Sequence, residues 1–179
     1  MEETPPRRQR VAAYALLHRE DRVLLSRLAP RVRFRGWTLP GGGVDHGEHP
    51  REALRREIYE EAGLHAEPGR ILDVYSTHFT GARPDGLVED YHGIGLIFDA
   101  DLLPESYDVE PSVVEVDGST DLAAWFTLDE AANLSLTGAA RHGLALLGDR
   151  HRIAAEVPVE PVLEESGRES VVVDTEEAS

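Results

Sequence analysis

Three glutamates, Glu57, Glu60 and Glu61, are spaced three and four residues apart in a segment that predicts a helix. At about 100° of rotation per residue, they share one stripe about 100° wide. Adjacent carboxylates repel each other, so this stripe weakens an isolated helix. It becomes favourable around a divalent cation, because Mg²⁺ prefers oxygen ligands and keeps waters that a phosphate can replace. The spacing therefore indicates a magnesium site that handles a phosphate-bearing ligand.

Residues next to the stripe fit the same chemistry. Arg56 precedes Glu57, and Glu48 lies eight residues before Arg56. Because a guanidinium can hold a carboxylate with two hydrogen bonds, we predict that Arg56 ties Glu48 to the helix and fixes the orientation of Glu57. The run Gly41–Gly43 lets the backbone approach a metal or a phosphate without interference from side chains.

The helix that must carry these groups is predicted over Pro50–Ala62. Pro50 suits the first turn, and Gly63 suits the position that caps the end. One face is apolar and repeats every four residues at Leu54, Ile58 and Ala62. That face borders the acidic stripe, so one side can pack on a sheet while the acids line an adjoining cleft.

Strand-like patterns surround this helix. They are predicted at Val11–Leu17, Arg22–Arg27, Trp37–Leu39, Arg70–Phe79, Tyr91–Ala100 and Ala123–Phe126. Short helices are predicted from Thr127 or Asp129 to Leu134 and over Thr137–Leu147. Two loops, Gly81–Asp90 and Asp101–Asp121, are long enough to indicate function.

Composition excludes several classes of protein. The 179 residues contain 18 basic and 34 acidic residues, a net charge of 18 − 34 = −16, and every base is arginine. Such a charge disfavours nucleic-acid polymers and anionic membrane surfaces as partners. Without lysine or cysteine the chain has no Schiff-base amine, disulfide or thiolate zinc site. No apolar run is long enough to span a bilayer, and we expect a cytoplasmic protein.

The chain is predicted to divide into an extension (residues 1–9), one folded domain (10–150) and an acidic tail (151–179). From Glu156 onward eight acids face only Arg168, which gives the tail seven of the sixteen net negative charges. A solvated tail is the favoured interpretation. Its patches Val157–Leu163 and Val171–Val173 are alternatively short strands.

The complete motif is Gly42-x5-Glu48-x7-Arg56-Glu57-Ile58-x-Glu60-Glu61-x-Gly63-Leu64. At every defined position it is similar to the 23-residue signature of the Nudix hydrolase family. The resemblance extends to Arg35–Pro40 and Trp125–Glu130, so it covers about Val11 to Leu147 and leaves out the tail.

The resemblance implies an α+β or α/β fold in which a mixed β-sheet lies between helices. It also implies water-driven cleavage of a diphosphate bond in a nucleoside diphosphate linked to another group, with Mg²⁺ or Mn²⁺. By position the metal ligands would be Glu57, Glu60 and Glu61, with the backbone carbonyl of Gly41 as a frequent addition. Glu48 and Arg56 would be the supporting pair. The general base stays open between Glu57 or Glu60, which we favour, and a loop acid (Asp85, Glu89 or Asp90).

The general layout resembles MutT-like members of the family. The expected substrate is therefore a nucleoside triphosphate, oxidised or not, cleaved to the monophosphate and pyrophosphate. ADP-ribose or a nucleotide sugar is the alternative, and a non-catalytic nucleotide sensor is the alternative of another class. Whether the chain forms a homodimer stays open. The side chains and glycines predicted to contact substrate are Arg27, Arg35, Trp37, Gly42, Gly43 and Tyr91.

Overall fold

A mixed β-sheet organises the computed structural model, which describes residues 4–32, 34–82 and 86–156, with side chains to residue 148. Its strands are β1 (Arg7–Arg19), β2 (Arg22–Leu28), β3 (Trp37–Thr38), β4 (Gly41–Gly43), β5 (Ala66–Ala82), β6 (Val88–Leu102) and β7 (Thr120–Thr127). The main path is β3-β2-β1-β6-β5; β4 pairs with β1, and β7 pairs with β2. The β1–β6 pair is parallel and the other pairs are antiparallel.

Helices cover both faces of this sheet. They are α1 (Pro50–Ala62), α2 (Leu128–Ala132) and α3 (Gly138–Glu156), and a 3₁₀ turn spans Pro104–Ser106. In β1 alternate side chains serve opposite cores, as the two-residue period of a strand requires. Leu17 is buried in a cluster with Leu54 of α1, whereas Leu16 is buried with Ala140 of α3. The predicted sheet between helices is therefore confirmed.

The predicted α1 boundaries are confirmed at both ends. His49 caps the first turn by accepting a hydrogen bond from the Arg51 amide at 3.2 Å. Gly63 ends the helix in the left-handed region, with φ of 65°, and its amide donates to the carbonyl of Tyr59 at 2.8 Å. Such a backbone angle favours glycine, because a Cβ would be strained there.

The predicted loop over Gly81–Asp90 is wrong at both of its ends. β5 continues to Ala82 and β6 starts at Val88, with Thr80 opposite Asp90 in the ladder. Ladder pairing outweighs the weak strand preference of these glycine- and acid-rich residues. Asp85, a candidate base, lies outside the described residues.

Three other boundaries differ from prediction. β1 begins at Arg7, so three residues of the predicted extension belong to the sheet, where they pair with β6. The glycine run forms β4 rather than a loop, since its backbone pairs with β1. α3 continues to Glu156, past the predicted start of the tail. The patches Val157–Leu163 and Val171–Val173 lie outside the described residues.

Within the described ranges, none of the helices combines the length and the apolar character that crossing a bilayer requires.

Candidate active site

The predicted pair of Arg56 and Glu48 is formed with two parallel hydrogen bonds. Arg56 Nε donates to Glu48 Oε1 and Nη2 donates to Oε2, both at 3.0 Å. Nη2 also donates to the carbonyl of Gly43 at 3.2 Å, and Glu48 Oε2 accepts from the Asp45 amide at 3.0 Å. These bonds hold the pKa of Glu48 below its usual range, the contact with Arg56 being the largest cause. One guanidinium thus fixes α1, β4 and the loop between them relative to one another.

The same guanidinium contacts two glutamates of the stripe. Arg56 Nη1 donates to Glu57 Oε1 at 3.0 Å and to Glu60 Oε2 at 3.2 Å. Glu57 also lies against the backbone of Gly42, where an added Cβ would come within 2.6 Å of Oε1. Burial raises the pKa of Glu57, and hydrogen bonding to Arg56 opposes that rise. The glycine therefore makes room for a carboxylate in a partly desolvated position.

The third glutamate points into the protein. Glu61 is only 2% exposed, and its oxygens accept hydrogen bonds from the Gly41 amide at 3.0 Å and the Thr120 hydroxyl at 2.5 Å. Burial raises the pKa of Glu61 to about 7, although these hydrogen bonds pull it downward. The buried hydroxyl of Ser26 also faces this carboxylate and lowers its pKa, although its Oγ falls outside hydrogen-bonding geometry to any partner in the described chain. Glu61 links α1 to both β4 and β7.

In the described parts of the chain, no group of three or more His, Asp or Glu side chains has the arrangement of a metal site. The predicted three-carboxylate cluster is therefore not formed as such, because Glu57 and Glu60 share Arg56 and Glu61 is turned toward Gly41 and Thr120. The donor chemistry nevertheless fits a hard divalent cation. The oxygen donors lie within two turns of one helix, and the backbone of Gly42 leaves space that a Cβ would fill.

A cavity of about 410 Å³ opens beside β4. Its walls include the backbone of Gly41–Gly43 and the side chain of Glu61. The other described lining residues that bear on function are Arg10, Tyr14, Tyr75, Tyr91, Thr38, Thr77 and Thr137. Burial raises the pKa of Tyr14 to about 12. Its hydroxyl, which is protonated at neutral pH as in any tyrosine, can donate a hydrogen bond into the cavity. Aromatic walls beside a glycine backbone suit a ligand with a flat ring and an anionic chain.

The predicted substrate contacts divide into two groups. Gly42, Gly43 and Tyr91 line the cavity, whereas Arg27, Arg35 and Trp37 do not. Arg27 donates to Asp121 at 2.7 Å and lies over the Trp37 ring. That ring packs edge-on against Phe126, 4.7 Å away between centroids. Trp37 thus packs between Arg27 and Phe126 and does not line the cavity.

The described loop acids proposed as alternative bases lie in other surroundings. Asp90 Oδ1 is 2.5 Å from Nε2 of His78 and lines a different cavity together with His92. Glu89 pairs with Arg8 at 3.6 Å. Neither residue lines the cavity beside β4.

Three contributors to the site were missed at the sequence level. Thr120 lies at the end of a long loop, where nothing marks it as a partner of Glu61. Tyr14 and Arg10 belong to β1, and the strand pattern that signals β1 says nothing about which side chains turn toward a cavity. The alternation of side chains along a strand could have grouped Arg10 with Tyr14, because positions 10, 12 and 14 share one face of β1, and this face lines the cavity.

Comparison with known proteins agrees with this geometry. A family model described as NUDIX domain matches residues 6–147. Nucleoside triphosphatase NudI of Salmonella paratyphi B is 36% identical over 148 residues, which cover 79% of this chain and 98% of that protein. Human 8-oxo-dGDP phosphatase NUDT18 is 45% identical over 64 residues, 36% of this chain but only 20% of that protein.

Solved structures share the fold. A MutT NUDIX hydrolase from Burkholderia pseudomallei superposes with a TM-score of 0.56 at 29% identity, covering 78% of this chain and 98% of that one. An ADP-ribose pyrophosphatase from Streptococcus suis gives 0.54 at 21% identity over 80% and 92% of the two chains, a likeness of fold alone.

Proposed function

This chain belongs to the Nudix hydrolase family, and on that premise we propose that it is a divalent-cation-dependent nucleoside triphosphate pyrophosphohydrolase. Its products would be the nucleoside monophosphate and pyrophosphate. The observation that carries the proposal is the Glu48–Arg56 clamp, which holds the acidic stripe of α1 against a glycine strand that lines the cavity. Similarity to nucleoside triphosphatase NudI over 98% of that protein's length supports the substrate class.

We propose Glu57, Glu60 and Glu61, with the backbone carbonyl of Gly41, as the residues that would hold Mg²⁺ or Mn²⁺. When bound, the cation would neutralise charge on the diphosphate and lower the pKa of a coordinated water. Arg56 fixes the orientation of Glu57 and Glu60, because it donates to both. Glu61 fixes the position of β4 relative to α1 through the Gly41 amide.

The reaction moves one proton and exchanges one bond. The oxygen of water forms a bond to the α- or the β-phosphorus while the bond from that phosphorus to the α,β-bridging oxygen breaks. Attack on the α-phosphorus expels pyrophosphate, and attack on the β-phosphorus expels the monophosphate and leaves the water oxygen in pyrophosphate. Glu57 or Glu60 accepts the proton of the attacking water. For Glu57, burial raises the pKa and so makes its carboxylate a stronger base. The buried Glu61 is already committed to two donors and supports the site rather than taking this proton.

A substrate panel tests the proposal. Nucleoside triphosphates, ADP-ribose, nucleotide sugars, dinucleoside polyphosphates and coenzyme A are each incubated with Mg²⁺ or Mn²⁺, and the products are identified by chromatography. We expect turnover of triphosphates, oxidised or not, with pyrophosphate rather than orthophosphate released. Preferential cleavage of ADP-ribose or a nucleotide sugar would replace the triphosphate assignment by the alternative one.

Matched variants locate the reaction. Glu57→Gln and Glu60→Gln should each lower kcat by at least about a hundredfold, as is typical when a group that acts in the transition state is lost. Glu52→Gln removes an exposed carboxylate from the first turn of the same helix and should leave kcat within about twofold. Equal losses in all three variants would argue against a site on the acidic stripe.

A further inference from the structure

Arg10 extends from β1 toward the cavity and is the one cationic side chain among the described residues that line it. We propose that Arg10 binds the phosphate chain of the nucleotide and makes the enzyme selective for substrates with several phosphates. The inference rests on the proposed function, because it assigns a specificity-determining residue for that reaction. Arg10 lies outside the signature motif, which runs from Gly42 to Leu64.

The backbone of β4 is shaped around this guanidinium. An added Cβ on Gly43 would lie 2.2 Å from Nη2 of Arg10 and 2.7 Å from Nε, closer than atoms can approach. Gly43 pairs with Ala12 of β1, two residues along from Arg10, so strand pairing brings the glycine next to the arginine. Arg10 therefore lies beside the same glycine strand whose amide at Gly41 reaches Glu61.

Arg10 differs from its neighbours in having no carboxylate partner among the described residues. Arg7 and Arg8 on the same strand pair with Asp90 and Glu89. Arg27, which was predicted to contact substrate, instead pairs with Asp121 at 2.7 Å. A guanidinium that no carboxylate neutralises remains available for an anion, and its fork of donors matches the oxygens of a phosphate.

The negative charge of the chain and of the cavity wall would repel a phosphate chain unless a cationic side chain contacts it. The chain carries a net charge of −16, and the cavity wall includes Glu61, which lies on the same helix as Glu57 and Glu60. A cation held by the glutamates would offset charge at the reacting phosphorus only. The remaining phosphate oxygens need a second positive group, and in the described part of the cavity wall Arg10 supplies it.

Tyrosines surround the position where the rest of the nucleotide would lie. Tyr91 and Tyr14 line the cavity on the same side of the sheet as Arg10, and Tyr75 stands near the start of α3. Their rings offer faces for a base or sugar while Arg10 holds the anionic end. The guanidinium thus acts in binding and alignment, and we expect its loss to raise KM far more than it lowers kcat.

The test compares Arg10→Ala with the matched control Arg55→Ala, which removes an exposed arginine of α1 that pairs with Glu67 outside the cavity. Steady-state kinetics with a nucleoside triphosphate give KM and kcat. Calorimetry with the α,β-methylene nucleoside triphosphate and with the monophosphate gives affinity without turnover. For Arg10→Ala we expect about a ten- to hundredfold rise in KM and in Kd for the triphosphate analogue, the usual cost of a lost hydrogen bond to a charged group.

Three further results separate binding from a general structural effect. Monophosphate affinity should fall less than triphosphate affinity; Arg10→Lys should recover part of the loss; and Gly43→Ala, which displaces the guanidinium, should shift KM in the same direction. A KM and Kd within twofold of wild type in Arg10→Ala, or equal effects of Arg10→Ala and Arg55→Ala, would overturn the assignment.

Failure of the proposed function gives a different pattern. If the wild-type protein turns over no triphosphate but binds the analogue with an affinity that depends on Arg10, the reaction assigned above is wrong and Arg10 remains an anion-binding residue. If wild type turns over triphosphates and Arg10→Ala does so with unchanged KM and Kd, only the role of Arg10 is wrong. If wild type neither cleaves nor binds, both assignments fail.

Discussion

Arg56 and Glu48 meet in a bidentate ion pair with both N–O distances at 3.0 Å, and Glu48 stands at the far end of the loop that joins β4 to α1. Together with the hydrogen bond from the Gly41 amide to Glu61, this contact sets the distance between β4 and the acidic stripe of α1. Without it, α1 would still pack through its buried face, but Glu57 and Glu60 would lose the donor that orients both of them.

Arg56→Lys tests this relationship. A lysine keeps the charge but has no planar fork, so it cannot hold Glu48, Glu57, Glu60 and the Gly43 carbonyl at once. We expect kcat to fall at least tenfold while unfolding free energy changes by only about 1 kcal/mol, because the pair is partly exposed to water. Kinetics and urea unfolding measure the two effects, and a loss of stability without loss of kcat would contradict the orienting role.

Glu61 and Thr120 form a buried contact whose removal should affect folding. Glu61→Ala leaves the Gly41 amide and the Thr120 hydroxyl without their partner and should cost about 2–4 kcal/mol of unfolding free energy. Glu61→Gln keeps an acceptor and should fold nearly as well, yet lose activity by orders of magnitude. Thr120→Val removes one donor and should cost less than Glu61→Ala, as measured by urea unfolding. Equal stability of Glu61→Ala and wild type would show that this contact contributes nothing.

Two glycines near the site should respond in opposite ways. Alanine at Gly42 would press against the Glu57 carboxylate, the movable end of a side chain, so Gly42→Ala should lower kcat with little change in stability. Gly47 has a φ of 83° and open space around it, so Gly47→Ala should cost about 1 kcal/mol and spare kcat. Thermal unfolding measures the stability of both variants, and steady-state kinetics measure kcat. If Gly47→Ala lowered kcat and Gly42→Ala did not, Glu57 would not act in the reaction.

Divalent cations should stabilise the folded protein. A cation that binds the glutamates of the native state and not the unfolded chain raises the melting temperature, and the rise grows with its concentration. We expect Mg²⁺ and Mn²⁺ to raise Tm of wild type and EDTA to reverse the rise, whereas the double variant Glu57→Gln, Glu60→Gln should respond much less. NaCl at the same ionic strength serves as the control for general charge screening. An identical rise in wild type and the double variant would place cation binding elsewhere.

Asp73 ties β5 to α3 and should contribute a pH-dependent part of stability. Asp73 Oδ2 lies 2.8 Å from Nε2 of His142, and this hydrogen bond, with the Val74 amide, lowers the pKa of Asp73. Since the folded-state pKa is lowered, the stabilisation is present above the unfolded-state value of about 3.9 and disappears as pH falls through the folded-state value.

Asp73→Asn should therefore be less stable than wild type at pH 6, with the difference shrinking below pH 4. Asp108→Asn, which alters an exposed acid after the 3₁₀ turn, is the control and should follow wild type across this range. A constant difference between Asp73→Asn and wild type from pH 3 to pH 7 would contradict the linkage.

The sequence alone determined α1 with its start at Pro50 and its Gly63 cap, and the partnership of Arg56 with Glu48, because these depend on contacts within about fifteen residues and on the fixed geometry of a helix. It also determined the chemistry of the donors, since residue type suffices for that. The tertiary structure decided which side chains face the cavity. Arg10 and Tyr14 reach the cavity from β1, more than forty residues before the acidic stripe. Thr120 contacts Glu61 from β7, 59 residues further along the chain. Such pairings follow from sheet register, which a short stretch of sequence does not encode.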